Sequence, residues 1–231
     1  MKVSHGFIIF DKNFKNVVVL IKRISYEFSD IINENYSSYD EFKYLVSRLT
    51  KIEKIILKTN NFNNLWQHYI NRSTWSENGV QYTKKLKKFN MKTTIFIDKY
   101  FNQPNVVTKQ NDTSLYDFPK GRPVDGETEF DTAIRETYEE TGLTINDYHI
   151  HYDLGTFIDL RKTTNEDYII IYRVATLKHD LNDIHKKFKK NYEIKDIKIF
   201  NVKSLISILQ NESNMLLNPI VKILKKRSEI I

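Results

Sequence analysis

The stretch FPKGRPVDGETEFDTAIRETYEETGL, residues 118–143, holds three of the chain's six glycines and ends in closely spaced carboxylates. Gly121 is followed after five residues by Glu127, and after seven more by Arg135, Glu136, Thr137, Tyr138, Glu139, Glu140, Thr141, Gly142 and Leu143. Thr128 with Asp131 can cap a helix start, and Gly142 can close its end in a left-handed conformation, so one helix is predicted over 129–141. At about 100° per residue, Phe130, Ala133, Ile134, Thr137 and Tyr138 share the core face, and Glu136, Glu139 and Glu140 share another. Carboxylates this close repel one another and oppose the helix dipole, so helix stability does not explain them. A hard divalent cation resolves the conflict. Mg2+ or Mn2+ takes oxygen ligands and shares its shell with substrate phosphates, as attack of water on a phosphoanhydride requires.

This register resembles the Nudix box. Every charged and glycine position of that pattern is met, and the departure is Thr137, where an aliphatic residue is usual. A small packing loss is expected there. The resemblance implies an α/β/α sandwich with a mixed sheet. It also implies Glu136, Glu139 and Glu140 as metal ligands, Arg135 as the residue orienting them, and the Gly121 loop as the support of the helix against substrate. Which glutamate deprotonates water, Glu139, Glu140 or another, stays open. The segment EIKDIKIFNVKSL (193–205) resembles the strand after the substrate loop of many Nudix proteins. Glu193 is therefore a candidate further ligand or general base, against the alternative of a surface glutamate paired with lysine.

The elements that must position these groups are partly legible. Residues 3–10 and 17–22, separated by the polar DKNFKN, read as a β-hairpin. From Ser38, with Glu41 as its capping-box partner, the apolar residues Phe42, Leu45, Val46, Leu49, Ile52 and Ile56 predict one amphipathic helix. Phe62, Leu65, Trp66, Tyr69 and Ile70 mark a second helix, and YTKKLKKFNMK (82–92) a basic third piece. Strands are predicted over 148–160, 168–177 and 196–202, and two helices at the end, the last from Pro219. The expected organisation is a first Nudix part over 1–36, an inserted basic helical domain over 37–105, and a second Nudix part over 106–231, with the box at 121–143.

The composition, 40% hydrophobic and 28% charged, allows one full core and a smaller appendage. The apolar run 17–21 is far too short to cross a bilayer and the N-terminus turns polar early, so a soluble cytosolic or nuclear protein without membrane contact is expected. Without cysteine there are no disulfides or thiolate metal sites. Residues 40–100 contain twelve Lys or Arg against five Asp or Glu, which equals the entire net charge of +7. Such local charge suits a polyphosphate or nucleic-acid backbone, with a solvated lysine-rich helix as the bland alternative.

FPKGR (118–122) is similar to the approach to the box in mRNA-decapping enzymes and in hydrolases of diphosphoinositol polyphosphates, with Lys120 as a phosphate-binding cation beside the metal. The order of KRISYEFSDII, LKTNNFNNLWQHY, YTKKLKKF, the box and LLNPIV resembles the decapping Nudix hydrolases of large DNA viruses, the African swine fever virus type and its mimivirus-like relatives. That resemblance implies hydrolysis of the cap triphosphate bridge of capped mRNA, giving 7-methyl-GDP and 5′-monophosphate RNA. It implies the host cytoplasm, and the virion, as its setting; the sequence carries no sign of an oligomeric state. The basic insert would track the RNA body through Lys84, Lys85, Lys87 and Lys88. A cap pocket needs an aromatic sandwich and an acidic reader. Tyr26 and Tyr168 match the ring positions, with Glu27, Glu166 or Asp167 as readers; either tyrosine can equally be an ordinary sheet residue. His149 and His151 are expected to face solvent, Trp66 to belong to a core stripe, and Trp75 is open. The competing readings are a diphosphoinositol or dinucleoside polyphosphate hydrolase and an RNA-binding protein without catalysis.

Overall fold

The computed structural model describes residues 2–66, 80–103, 112–162, 167–180, 182–211, 214 and 216–230. It divides into two compact units, residues 1–22 with 116–231, and residues 23–115.

The first unit is a mixed sheet between helices. β1 (Lys2–Phe10) and β2 (Asn16–Lys22) form the hairpin, and Asp11 closes its turn by accepting from the Lys15 N–H and from Asn16 Nδ2, both at 2.7 Å. β1 runs parallel to β7 (Asp167–Leu177) along its whole length, from Lys2 opposite Tyr168 to Phe10 opposite Thr176. β8 (Ile194–Asn201) pairs with β2, and the short β3 (Tyr116–Asp117) and β4 (Lys120–Gly121) add rungs to β2 and β1. β5 (Tyr148–Ile150) and β6 (Thr156–Lys162) both pair with β7. The single strand predicted over 148–160 is thus two, because a 3-10 turn at Tyr152–Leu154 and Gly155 at positive φ interrupt it.

Strand alternation divides the sheet's side chains between two cores. Phe7, Ile9, Val18, Leu20 and Ala175 face α7 (Glu129–Thr141), which contributes Ala133. α8 (Asn182–Lys187) adds Ile184 to that side. Ile8, Phe10, Val17, Tyr172 and Val174 face the other way, onto α9 (Val202–Asn211) and α10 (Leu217–Ile230) through Leu205, Leu209, Ile220 and Ile223.

The second unit is helical among its described residues. α1 (Tyr26–Asn33) buries Phe28, Ile31 and Ile32 in the same core as Tyr36, Phe42 and Val46, so this unit starts at Arg23 and ends at Leu115 rather than at 37 and 105. The stripe from Phe42 to Ile56 belongs to two helices, α2 (Tyr39–Arg48) and α3 (Lys51–Thr59). Leu49 is extended, and Thr50 opens a fresh capping box with Glu53, whose carboxylate also accepts from the buried Ser25 N–H at 2.6 Å. Ser38 does cap the Glu41 N–H, but the Glu41 carboxylate turns back to Ser37, so no reciprocal box forms there. α4 (Phe62–Leu65) begins the next predicted helix; Tyr69, Ile70 and Trp75 lie outside the described residues. α5 (Val80–Lys88) continues through a π-helical turn at Phe89–Thr93 into α6 (Thr94–Phe101). No helix among the described residues is long and apolar enough to cross a membrane.

Candidate active site

Helix α7 occupies the bounds its sequence announced. Thr128 accepts from the Asp131 N–H at 3.1 Å, the Asp131 carboxylate returns to Thr128, and Gly142 closes the helix at φ 76°. Its buried stripe differs from the predicted one. Thr132, Ala133, Thr137, Glu140 and Thr141 are buried, while Tyr138, expected in the core, is 56% exposed. Glu140 lies three and seven residues beyond Thr137 and Ala133, which places it on the stripe that meets the sheet.

The three box glutamates therefore occupy different environments. Glu140 is buried, accepts the Lys120 backbone N–H at 2.9 Å, and is pushed up to about 8 by burial, with Asp117 and Glu193 adding to the rise and Lys120 opposing it. Glu136 is also raised, by burial first, against the pull of Arg135. Glu139 is about half exposed, at 54% of its side chain.

Arg135 ties the set together. Its Nε donates to Glu127 at 2.6 Å, Nη1 donates to Glu136 at 2.7 Å and Glu139 at 3.1 Å, and Nη2 donates to the Arg122 carbonyl at 2.9 Å and to Glu127 at 3.1 Å. Glu127 also accepts from the Val124 N–H and the Thr132 hydroxyl, so it pins the loop from Gly121 onto the helix. Gly121 leaves room for the Glu136 carboxylate, which a Cβ there would overlap unless the side chain shifted.

Lys120, assigned to substrate phosphate from the sequence, has its ammonium on Asp117 with only 8% of its side chain exposed. That ion pair places a positive charge between Asp117 and Glu140, and the charge opposes the rise of the backbone-bonded Glu140 carboxyl. Lys22, only 9% exposed, lies 4.0 Å from Asp117 and 3.6 Å from Glu193, at a register shift in the pairing of β2 with β8. Glu193 thus has a lysine partner and also adds to the negative field on Glu136 and Glu140. Asp117, Lys22 and Gly6, where a Cβ would strike the Pro119 carbonyl, escaped the sequence reading. The three-residue spacing of Asp117 and Lys120 was the one available signal.

Among the described residues, no three acidic or imidazole side chains stand closed about one point. The donor set nevertheless fits a hard divalent cation. It is all carboxylate, and Glu140 is a buried group whose ionised form lacks sufficient counter-charge without one. An open set is what a Mg2+-type ion uses, since water and substrate phosphates complete its shell.

The predicted cap residues belong to different units. Tyr26, 41% exposed, starts α1 in the helical unit, and the Glu27 carboxylate accepts from Arg48 Nε at 2.9 Å. Tyr168 belongs to the other unit, with Lys2 and Arg122 each 5.8 Å from its ring centroid, and alternation puts it with Ile170 and Tyr172 on the sheet face away from α7. Glu166 lies outside the described residues, and Asp167 is described only as the backbone partner of Lys162. Lys84, Lys87 and Lys88 are exposed on α5, whereas Lys85 bonds to Asn33 and sits 5.0 Å over the Trp66 ring, half-buried and with its pKa lowered by that burial. Trp66 is a core residue stacked on Phe62 at 5.4 Å. His149 is exposed, and His151 is half-buried, with Nε2 2.9 Å from the Thr176 hydroxyl.

Comparison with known proteins bears on the whole arrangement. The protein named mRNA-decapping protein g5R of African swine fever virus isolate Pig/Kenya/KEN-50/1950 is 27% identical, over 96% of this chain and 93% of its own. Its counterpart in strain Badajoz 1971 Vero-adapted is 29% identical over 84% of this chain and 79% of its own. A solved structure of a C. elegans Ap4A hydrolase in a binary complex covers 99% of both chains at 14% identity with a TM-score of 0.50, a likeness of fold. A family model described as NUDIX domain matches residues 95–217, just over half of the chain and including the whole of α7 with Glu136, Glu139 and Glu140. On these grounds the chain belongs to the NUDIX family.

Proposed function

We propose that this Nudix hydrolase is an mRNA-decapping enzyme, which cleaves the triphosphate bridge of the 5′ cap to give 7-methyl-GDP and RNA with a 5′ monophosphate. The observation that carries this reading is the extent of the likeness to proteins named for mRNA decapping. It covers 96% of the chain, so both the carboxylate helix and the helical unit have counterparts in them. Nudix hydrolases generally need a divalent metal ion; here Mg2+ or Mn2+ fits the carboxylate donors. Once bound it lowers the pKa of a coordinated water and neutralises phosphate charge.

The chain's own residues do the rest. Glu136, Glu139 and Glu140 supply carboxylate oxygens, and Glu193 adds negative charge to Glu136 and Glu140. Arg135 fixes the rotamers of Glu136 and Glu139, and the Lys120 N–H orients Glu140. A carboxylate takes the proton of the attacking water, a phosphorus–oxygen bond forms, and the anhydride bond breaks toward 7-methyl-GDP. The helical unit serves as a basic insert in the Nudix domain, and Lys84, Lys87 and Lys88 follow the RNA body. Lys85 is withdrawn from that role by Asn33 and Trp66. The place of action is the host cytoplasm.

The test is cap release. RNA labelled in the cap phosphates is incubated with the protein and Mg2+ or Mn2+, with Glu140→Gln in parallel. Label released as 7-methyl-GDP by the intact protein alone supports the reading. No release from folded, metal-supplied protein would sink it and turn attention to diphosphoinositol and dinucleoside polyphosphates.

A further inference from the structure

An enclosed guanidinium meets the first residue of the carboxylate helix. Arg173, on β7 opposite Phe7 of β1, donates from Nη2 to the Glu129 carboxylate at 3.0 Å. Its side chain is 17% exposed, its guanidinium lies 5.8 Å from the Phe130 ring centroid, and its buried Nη1 has no acceptor among the described residues. His5, buried on β1, brings Nδ1 to 3.9 Å from the same carboxylate, and that nitrogen has no hydrogen-bond partner among the described residues either. Burial holds the His5 pKa below its ordinary value, so at neutral pH the ring is uncharged and Arg173 is the cation that holds Glu129. Such a pair is a weak source of stability, because desolvation offsets the attraction and an apolar side chain of similar volume would serve as well. What it supplies is a fixed register.

Glu129 begins α7. Seven and eleven residues later a helix of 3.6 residues per turn returns to within about 20° of the same direction, so Glu129, Glu136 and Glu140 lie in one row. Whatever holds Glu129 to β7 therefore fixes the rotation of the row that carries two of the box carboxylates. His5 also stands opposite Gly121 in the pairing of β1 with β4, so one strand residue backs both the helix start and the loop glycine beside Glu136. At the other end of α7, Asn191 Nδ2 donates to the Glu139 carbonyl at 3.2 Å, and Gly142 leaves room for the Lys187 carbonyl. We infer that Arg173 is a positioning residue for the hydrolysis: by holding Glu129 it sets the rotation of α7, and with it the placing of the Glu136 and Glu140 carboxylates. The inference rests on the Nudix chemistry of the box, and the decapping reading enters only as the choice of substrate for the assay.

The experiment measures kcat and KM on capped RNA, Mn2+ binding by calorimetry without RNA, and urea midpoints. The proteins are the intact chain, Arg173→Met, Arg173→Lys, Glu129→Ala and the double variant Arg173→Met with Glu129→Ala. Methionine keeps the packing on Phe130 and removes the charge. Arg173→Met is expected to lower kcat by roughly 10- to 100-fold with KM nearly unchanged, and to weaken Mn2+ binding by roughly tenfold, in protein still folded at the assay temperature. Glu129→Ala should do the same, and the double variant should be no worse than either, since changes that act through one contact do not add. Arg173→Lys should recover most of kcat. Glu129→Ala, at an exposed helix start, carries the test should Arg173→Met fail to fold. Normal kcat and Mn2+ binding in Arg173→Met, a loss confined to KM, losses that multiply in the double variant, or a fall in kcat no larger than the unfolded fraction would overturn the assignment. If the intact protein released no cap, decapping would fall and Mn2+ binding would decide the role of Arg173: weakened in Arg173→Met and Glu129→Ala it stands, unchanged it falls. Cap release with both variants fully active would leave decapping standing and remove the positioning role.

Discussion

The Glu136 carboxylate occupies the space that a Cβ on Gly121 would need. Gly121→Ala therefore moves either the loop or the glutamate. Misplacement of a reacting group by about 1 Å costs on the order of 100-fold in rate, so kcat should fall by that order while the melting temperature changes little. Parallel turnover and thermal melts check this, and an alanine variant with normal kcat would contradict the packing argument.

Glu140→Gln keeps an acceptor for the Lys120 N–H and removes the charge. Turnover should fall by about 100- to 10,000-fold, the range for losing a group that handles a proton, with RNA affinity retained. Added Mg2+ or Mn2+ should raise the melting temperature of the intact protein more than that of the variant, and chelation should abolish the difference. If RNA affinity fell together with turnover, the substitution would be acting through collapse of the fold.

Thr137 is fully buried, and its hydroxyl has no hydrogen-bond partner among the described residues. Thr137→Val replaces an unsatisfied hydroxyl with a methyl and should raise stability by about 1 kcal/mol, with catalysis unaffected. Urea unfolding gives the measurement; a destabilised valine variant would mean that the hydroxyl is satisfied in solution.

The Arg135 hydrogen bonds hold the Glu127 carboxyl down at about 2, below its ordinary 4.5, against the opposing effect of burial. In the unfolded chain the group takes up its proton first as pH falls. Its stabilising contribution is thus present above pH 4.5 and disappears as pH drops toward 2. The stability gap between the intact protein and Glu127→Gln should be wide at neutral pH and narrow across that window. Denaturant midpoints at several pH values would reveal a constant gap if the pairing were unimportant.

Replacing Lys84, Lys87 and Lys88 together with Gln should weaken RNA binding and reduce the slope of log affinity against log salt by about two, given roughly 0.7 per phosphate contact on a single strand. Lys85→Gln should instead lower stability, since its ammonium is held by Asn33 and Trp66. Equal effects of both changes on the salt slope would refute the distinction.

The catalytic helix was legible because its information is local: Thr128, Asp131 and Gly142 are read within their own turns. The division of the long N-terminal stripe was written in Thr50 and Glu53, a capping box hidden by an apolar period that continues across the break. Tyr138 and Glu140 exchanged their expected environments because helical periodicity defines faces without saying which one meets the sheet. Lys85 and Glu27 looked like ligand contacts because their partners Asn33 and Arg48 come from other helices, a matter of tertiary structure, whereas the Asp117 partner of Lys120 was three residues away and open to a sequence reading. Asn191 gave no sign at all, since an asparagine in a loop is ordinary until its partner carbonyl is known.

Ile21 and Tyr116 stand opposite each other in the antiparallel pairing of β2 with β3, at the very places where the chain leaves for the helical unit and returns from it. The two ends of that long excursion are thereby held a single strand spacing apart. Closing a loop costs more entropy the longer it is, so a helical unit that folds early from its own local contacts spares the sheet most of that cost. The rung between Ile21 and Tyr116 then works as a clasp, and the stretch between its two sides can lengthen or shrink over evolutionary time without disturbing the order of the strands.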